Sequence, residues 1–207
     1  MVKLIHNTYE AEKFIVYMAR VSSPNQDNPE QDRLLKYLIK YKHWSPFEMA
    51  SMCVEITTSR AIAAQILRHR SFNFQEFSQR YSKIGSNTFT VCEARKQDEK
   101  NRQNSIDNLP QDTKDWFRKA QEEVSTRSYE LYEEAINKDI AKECARFLLP
   151  LSTETKMYMH GTLRNWIHYI NLRTEAGVQK EHRDIALQIK EIFIEKFPII
   201  AKALDWG

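Results

Sequence analysis

Glycine is scarce in this chain. Only Gly85, Gly161, Gly177 and Gly207 occur among 207 residues, and no two lie close enough to build a phosphate-cradling loop, which excludes a P-loop or a glycine-rich dinucleotide fingerprint. Any phosphate or cofactor must then be held by side chains and helix ends. Cysteine is almost as rare. Cys53, Cys92 and Cys144 are odd in number and far apart, so they offer neither a disulfide framework nor the CxxC spacing of a zinc or redox site. HExxH is absent as well, and no metal site is expected. No run approaches the roughly 20 apolar residues of a membrane span. The N-terminus lacks the charged flank, apolar run and small-residue cleavage site of a secretory leader. The expected setting is the cytoplasm, with no membrane partner. A net charge of +3, from 31 Lys and Arg against 28 Asp and Glu, gives little electrostatic ground for nucleic-acid binding.

What is present suits one folded domain covering residues 1–207. Hydrophobic residues make up 42% of the chain, and at this length about 70% of the unfolded surface can be buried without disulfide or metal. A short strand over Val2 to Ile5 is followed by a helix capped by Thr8, with Ala11, Phe14, Ile15 and Met18 at the spacing of one buried face. A second helix carries Leu34, Leu35, Tyr37, Leu38 and Ile39 and should fail near His43, ahead of Pro46. SMCVEITTS reads as a strand, Ala61 to His69 as a helix, and Thr88 to Ala94 as a second strand. Between Lys96 and Lys114 only Ile106 and Leu109 are sizeable aliphatics, which predicts a mobile polar loop over about 96–114, near a site. Helices then run to Leu149, before Pro150, followed by a strand over Glu154 to His160 and two more helices. The order of elements lacks a regular βαβ rhythm, so the fold class is α+β, with a small mixed or antiparallel sheet flanked by helices.

The densest polar cluster is RHRSFNFQEFSQRY, Arg68 to Tyr81. Guanidinium forks grip phosphate, aromatic residues wall a flat ring, and a serine hydroxyl donates to a phosphate oxygen. A solvated basic turn pinned to the core by Phe72, Phe74 and Phe77 has the same composition, and the residues alone leave both readings open. In TLRNWIHYINLR, Leu163, Trp166, Ile167 and Ile170 form a buried stripe while Arg164, His168 and Asn171 share another face. Arg173 falls beside the stripe, where a charge is costly unless it is paired. Its partner is either a carboxylate such as Glu181 or an anionic or carbonyl ligand. Ahead of Pro150, Ile140, Cys144, Phe147 and Leu148 read as a core stripe, with Arg146 on its flank. From the cluster's alternation of Arg and Phe, a single-stranded RNA-binding module is an alternative function, and a helical scaffold is another.

Arg68, His69 and Arg70, followed by seven residues and then Ser78, resemble the RHRx7S signature of the flavin-dependent thymidylate synthases. Against the longer form RHRxxSxNExSxRY, the chain keeps Glu76, Ser78, Arg80 and Tyr81, with Asn73 and Gln75 replacing the usual Ser and Asn. HWSPFE at His43 to Glu48, ARFLLP at Ala145 to Pro150 and NLR at Asn171 to Arg173 are similar to family motifs in the same order, so the resemblance spans most of the chain.

That resemblance implies methylation of dUMP to dTMP, with 5,10-methylenetetrahydrofolate as one-carbon donor and FAD, reduced by NADPH, as the hydride source. It implies a homotetramer whose active sites are shared between subunits, which is how a glycine-poor chain can hold a flavin. Residue by residue, it makes Arg173 the catalytic group that polarises the pyrimidine. Gln65, Arg68, Glu76, Phe77, Ser78, Gln79, Arg80 and Arg146, together with Arg173, become the nucleotide contacts. His43, Ser45, Arg68, His69, Arg70, Glu76, Thr162, Arg164 and His168 become the flavin side, with Thr162 and His168 standing where relatives commonly carry Asn. No cysteine nucleophile is expected; Cys144 is read as structural, and Ser78 as a binding group for want of a neighbouring base.

Overall fold

The computed structural model describes residues 1–85 and 88–206. Strand β1 (Val2–Asn7) leads to helices α1 (Ala11–Ala19) and α2 (Asp32–Lys40), then through a 3-10 turn (Ser45–Glu48) to strand β2 (Ser51–Ser59) and helix α3 (Arg60–Ile66). Strand β3 (Asn73–Glu76) follows, then a ribbon of β4 (Lys96–Gln97) and β5 (Ser105–Ile106) and the long helix α4 (Gln111–Asn137). A single turn α5 (Lys142–Ala145) and a 3-10 turn (Arg146–Leu148) lead to strand β6 (Glu154–Thr162) and helices α6 (Leu163–Arg173), α7 (Lys180–Lys196) and α8 (Pro198–Ala203). The chain is one α+β domain.

Its frame is a four-stranded sheet in the order β1-β2-β6-β3, antiparallel at every pairing rather than mixed. Alternation places Met52, Val54 and Ile56 of β2, and Met157 and Met159 of β6, on the core face. β2 and β6 pair along their whole length, from Ser51 opposite Thr162 to Ser59 opposite Glu154. Each runs directly into a helix with a hydroxyl cap: Ser59 Oγ accepts the Ile62 N–H and Thr162 Oγ1 accepts the Asn165 N–H. Trp166, wholly buried, donates its indole N–H to the Met52 carbonyl at 2.9 Å. This bond ties α6 to the sheet. Glycine is required at Gly161, where an added Cβ would stand 2.5 Å from Cδ1 of Phe72.

Several expectations change. Thr8 does not cap α1; its Oγ1 accepts the Ser51 N–H instead, and the helix begins after Glu10, whose φ is 44°. Helix α2 ends before Pro46 is felt, because Lys42 takes a left-handed φ of 58° and the His43 N–H returns to the Leu38 carbonyl. Thr88 to Ala94 is not a strand. It makes one bridge, Phe89 to Thr153, and then the Gln121 side chain holds both backbone groups of Cys92. The polar stretch 96–114 contains the β4–β5 ribbon, and α4 already starts at Gln111. Asp98 organises the ribbon's turn by accepting the N–H groups of Lys100 and Asn101. The chain before Pro150 is not one helix, since Asp139 at φ 59° breaks it after α4. The stripe read there is not core: Cys144 is exposed, Phe147 is 82% exposed, and only Ala145 of α5 is buried. Periodicity marks an apolar face without saying what covers it.

Candidate functional site

The chain turns sharply after α3, and this turn carries the arginine-rich segment. Phe72, 6% exposed, packs edge-on against Trp166 with ring centroids 4.7 Å apart. Arg68 and Arg70 remain exposed, and neither guanidinium has a hydrogen-bond or carboxylate partner among the described residues. The phenylalanine anchors the segment while the forks stay outside.

Beyond the turn, β3 puts Glu76 on the half-buried side of the sheet edge. Its Oε1 accepts from Arg60 Nη1 at 3.0 Å and Thr155 Oγ1 at 3.0 Å, while Arg60 Nη2 donates to the Phe77 carbonyl at 2.7 Å. The sequence reading missed Arg60 and Thr155, which are brought to Glu76 only by the pairing of β3 with β6. Burial lowers the Arg60 pKa, Glu76 raises it and nearby Arg146 lowers it again. Ser78 and Arg80 line an open cleft of about 720 Å³ with Tyr81, Lys83, Ile140 and Lys142. Arg80 is paired there with Glu143 at 3.0 Å, both exposed. Gln79 turns its side chain inward, leaving its amide nitrogen buried without a partner among the described residues.

A second group forms where α3, α6 and α7 meet. Arg173 Nε donates to His69 Nε2 at 2.9 Å, and no carboxylate lies within ion-pair distance of Arg173 among the described residues. Glu181, the carboxylate considered for it, is taken by Arg95 at 2.7 Å. Burial and then the Arg173 charge push His69 down to about 4, so it is a neutral acceptor. Gln65 hydrogen-bonds Gln179 and the wholly buried His182, which also meets the Tyr169 hydroxyl at 3.0 Å. Tyr169 and His182 were likewise missed, since a buried His and Tyr on apolar faces give no signal in sequence.

A third group sits at the start of α6. Arg164 is ion-paired with Glu48, and the His168 ring lies 5.1 Å from that of Trp44. Burial and Arg164 lower the His168 pKa. Ser45 and His43 are exposed on the adjoining turn, the His43 ring 5.8 Å from Tyr37. Thr162 is committed to capping α6. The start of α6 is tied directly to the arginine-rich turn, where Asn165 Nδ2 donates to the Ser71 carbonyl at 2.7 Å beside the Phe72–Trp166 ring contact. Glu76 lies opposite Met157 and Thr162 lies opposite Ser51, and five residues of strand separate the two β6 positions by about 17 Å.

Residues 3–199 match the Thy1 family, described as thymidylate synthase complementing protein. The probable flavin-dependent thymidylate synthase of Paramecium bursaria Chlorella virus 1 is 57% identical over 205 residues, covering 98% of this chain and 94% of the relative. The flavin-dependent thymidylate synthase of Synechocystis sp. is 56% identical over 195 residues, 94% and 90% of the two chains. This chain belongs to the flavin-dependent thymidylate synthase family. A solved UMP/dUMP methylase from Streptomyces cacaoi, bound with 5-Br dUMP, superposes with a TM-score of 0.88 at 25% identity, covering 99% of this chain and 94% of that one.

A flavin-dependent thymidylate synthase must hold FAD, and this chain has no glycine-rich loop to do so. The donor set fits nonetheless. Arg68 and Arg70 are exposed forks, unpartnered among the described residues and suited to a diphosphate, and the Trp44–His168 pair offers ring surface. Among the described residues no His, Cys, Asp and Glu cluster suits a metal ion.

Proposed function

We propose that this chain catalyses the reductive methylation of dUMP to dTMP, with Arg173 as the group that polarises the pyrimidine. The observation that carries the reading is a half-buried guanidinium bonded, among the described residues, only to a neutral imidazole. With Nε given to His69, the two Nη groups are free to donate to a base carbonyl. A cation there favours loss of the N3 proton and stabilises negative charge developing on the ring.

FAD, when bound, supplies the reducing hydride drawn from NADPH, and 5,10-methylenetetrahydrofolate supplies the one-carbon unit. Arg68, His69, Arg70 and Glu76, with Ser45, Thr162, Arg164 and His168, would hold the flavin, with His43 beside it. Gln65, Arg68, Glu76, Phe77, Ser78, Gln79, Arg80 and Arg146, with Arg173, would hold the nucleotide, its phosphate near Ser78 and Arg80, where the cleft opens. Arg60 and Thr155 saturate one oxygen of Glu76 and leave the other for ligand. The 96–114 stretch is the element that moves beside the site.

No cysteine serves as nucleophile. Burial and then Glu181 raise the Cys92 thiol, burial raises Cys53, and Cys144 is not among the residues that line the cleft beside Ser78 and Arg80. The working form is a cytoplasmic homotetramer with shared sites and no nucleic-acid or membrane partner. Support comes from apolar side chains left open on one chain: Phe147 and Leu151 are 82% and 71% exposed. Purified protein tests the whole reading: flavin absorbance with NADPH-driven dTMP formation supports it, and colourless protein with strongly salt-dependent RNA binding overturns it.

A further inference from the structure

The polarity of the network that holds Gln65 can be traced from its charged end. Arg95 Nη2 grips Glu181 at 2.7 and 3.0 Å, and an ionised carboxylate only accepts. Burial pushes the Glu181 pKa up, but its own backbone N–H, Arg95 and Gln179 together hold it below the ordinary value. Gln179 must therefore turn its Nε2 to Glu181 Oε2, 2.9 Å away, which points its Oε1 at Gln65. Gln65 answers with Nε2 at 2.7 Å and so presents Oε1 to His182 Nδ1 at 3.3 Å. An amide oxygen cannot donate, so Nδ1 carries the ring proton. Nε2 of the ring is then the acceptor for the Tyr169 hydroxyl at 3.0 Å. Burial first, then Arg173 and His69, push His182 down to about 4, which keeps this single tautomer neutral.

We propose that His182 and the Arg95–Glu181 pair are positioning residues for nucleotide binding: from opposite sides they lock the Gln65 amide in one orientation. One Nε2 hydrogen and one Oε1 lone pair of Gln65 remain free in fixed directions for the nucleotide, so substrate meets an amide that needs no reordering. Neither group touches the substrate itself. His182 acts through Gln65, and Glu181 acts through Gln179. The inference rests on Gln65 being a nucleotide contact.

Two measurements on the flavin-loaded protein test it. Neutron diffraction from deuterium-exchanged crystals should place deuterium on His182 Nδ1 and on the Tyr169 oxygen; deuterium on His182 Nε2 overturns the polarity. Calorimetric titration with dUMP should show the dissociation constant rising about threefold to tenfold for His182→Phe and for Glu181→Gln, the size of one lost hydrogen bond. His182→Asn, which keeps a donor near the Nδ1 position, should return it close to the unsubstituted value, with flavin content unchanged throughout. Gln65→Ala separates the two ways of failing. If it leaves dUMP binding unaltered, the placement of Gln65 at the nucleotide is wrong; if it weakens binding while His182→Phe does not, the positioning role is wrong.

Discussion

Acid should destabilise this protein through His182 in a way that can be sized from its surroundings. The ring is wholly buried between Gln65 and Tyr169 and faces the Arg173 charge. Its pKa falls from 6.5 in the unfolded chain to about 4 in the folded one, with burial as the first cause. The unfolded chain therefore binds the proton more readily, and stability falls as pH drops below 6.5, with the loss complete below about 4. Linkage puts the loss at about 2 kcal/mol by pH 5 and about 3 kcal/mol at pH 4 for this one group. His69 shifts in the same direction but is only half-buried, so solvent screens part of its effect. Denaturant unfolding of the unsubstituted protein and of His182→Phe, at fixed protein concentration between pH 7 and 4.5, isolates the contribution. The variant loses two hydrogen bonds at every pH, a constant offset, so the gap between the two proteins should narrow by about 2 kcal/mol on going from pH 7 to 5. Parallel pH profiles would refute the reasoning, because they would mean that His182 is protonated as easily folded as unfolded.

Other outcomes follow from packing and exposure. Gly161→Ala places a methyl 2.5 Å from the ring of Phe72, and the overpacking should cost about 1–3 kcal/mol in denaturant unfolding; unaltered stability would show that the arginine-rich turn is not wedged there. Cys144→Ser should retain dTMP formation in the flavin-loaded protein, since Cys144 is not among the residues that line the cleft beside Ser78 and Arg80, and complete loss in a folded variant would restore a thiolate route.

Much of the sheet was legible because β2 carries its alternation openly in SMCVEITTS. The inward charge at Arg173 was legible too, from its position beside the stripe of Trp166 and Ile170. What could not be read was pairing between distant side chains. Gln65 and His182 are 117 residues apart, and nothing local marks Glu181 as the partner of Arg95 instead of Arg173. Strand β3 was hidden inside the arginine-rich motif, where four residues are too short to display a period. The face around Cys144 failed for a different reason: the apolar pattern is real, but the chain leaves it exposed, and one chain's sequence does not distinguish a core from a surface awaiting a second copy.

The most direct test of the central claim is the rate of dTMP formation by Arg173→Ala, measured with dUMP, 5,10-methylenetetrahydrofolate and NADPH in protein shown by its spectrum to keep its flavin. Loss of a preorganised cation aimed at the base should lower turnover by about 100-fold to 1,000-fold. Turnover close to that of the unsubstituted enzyme would contradict the account.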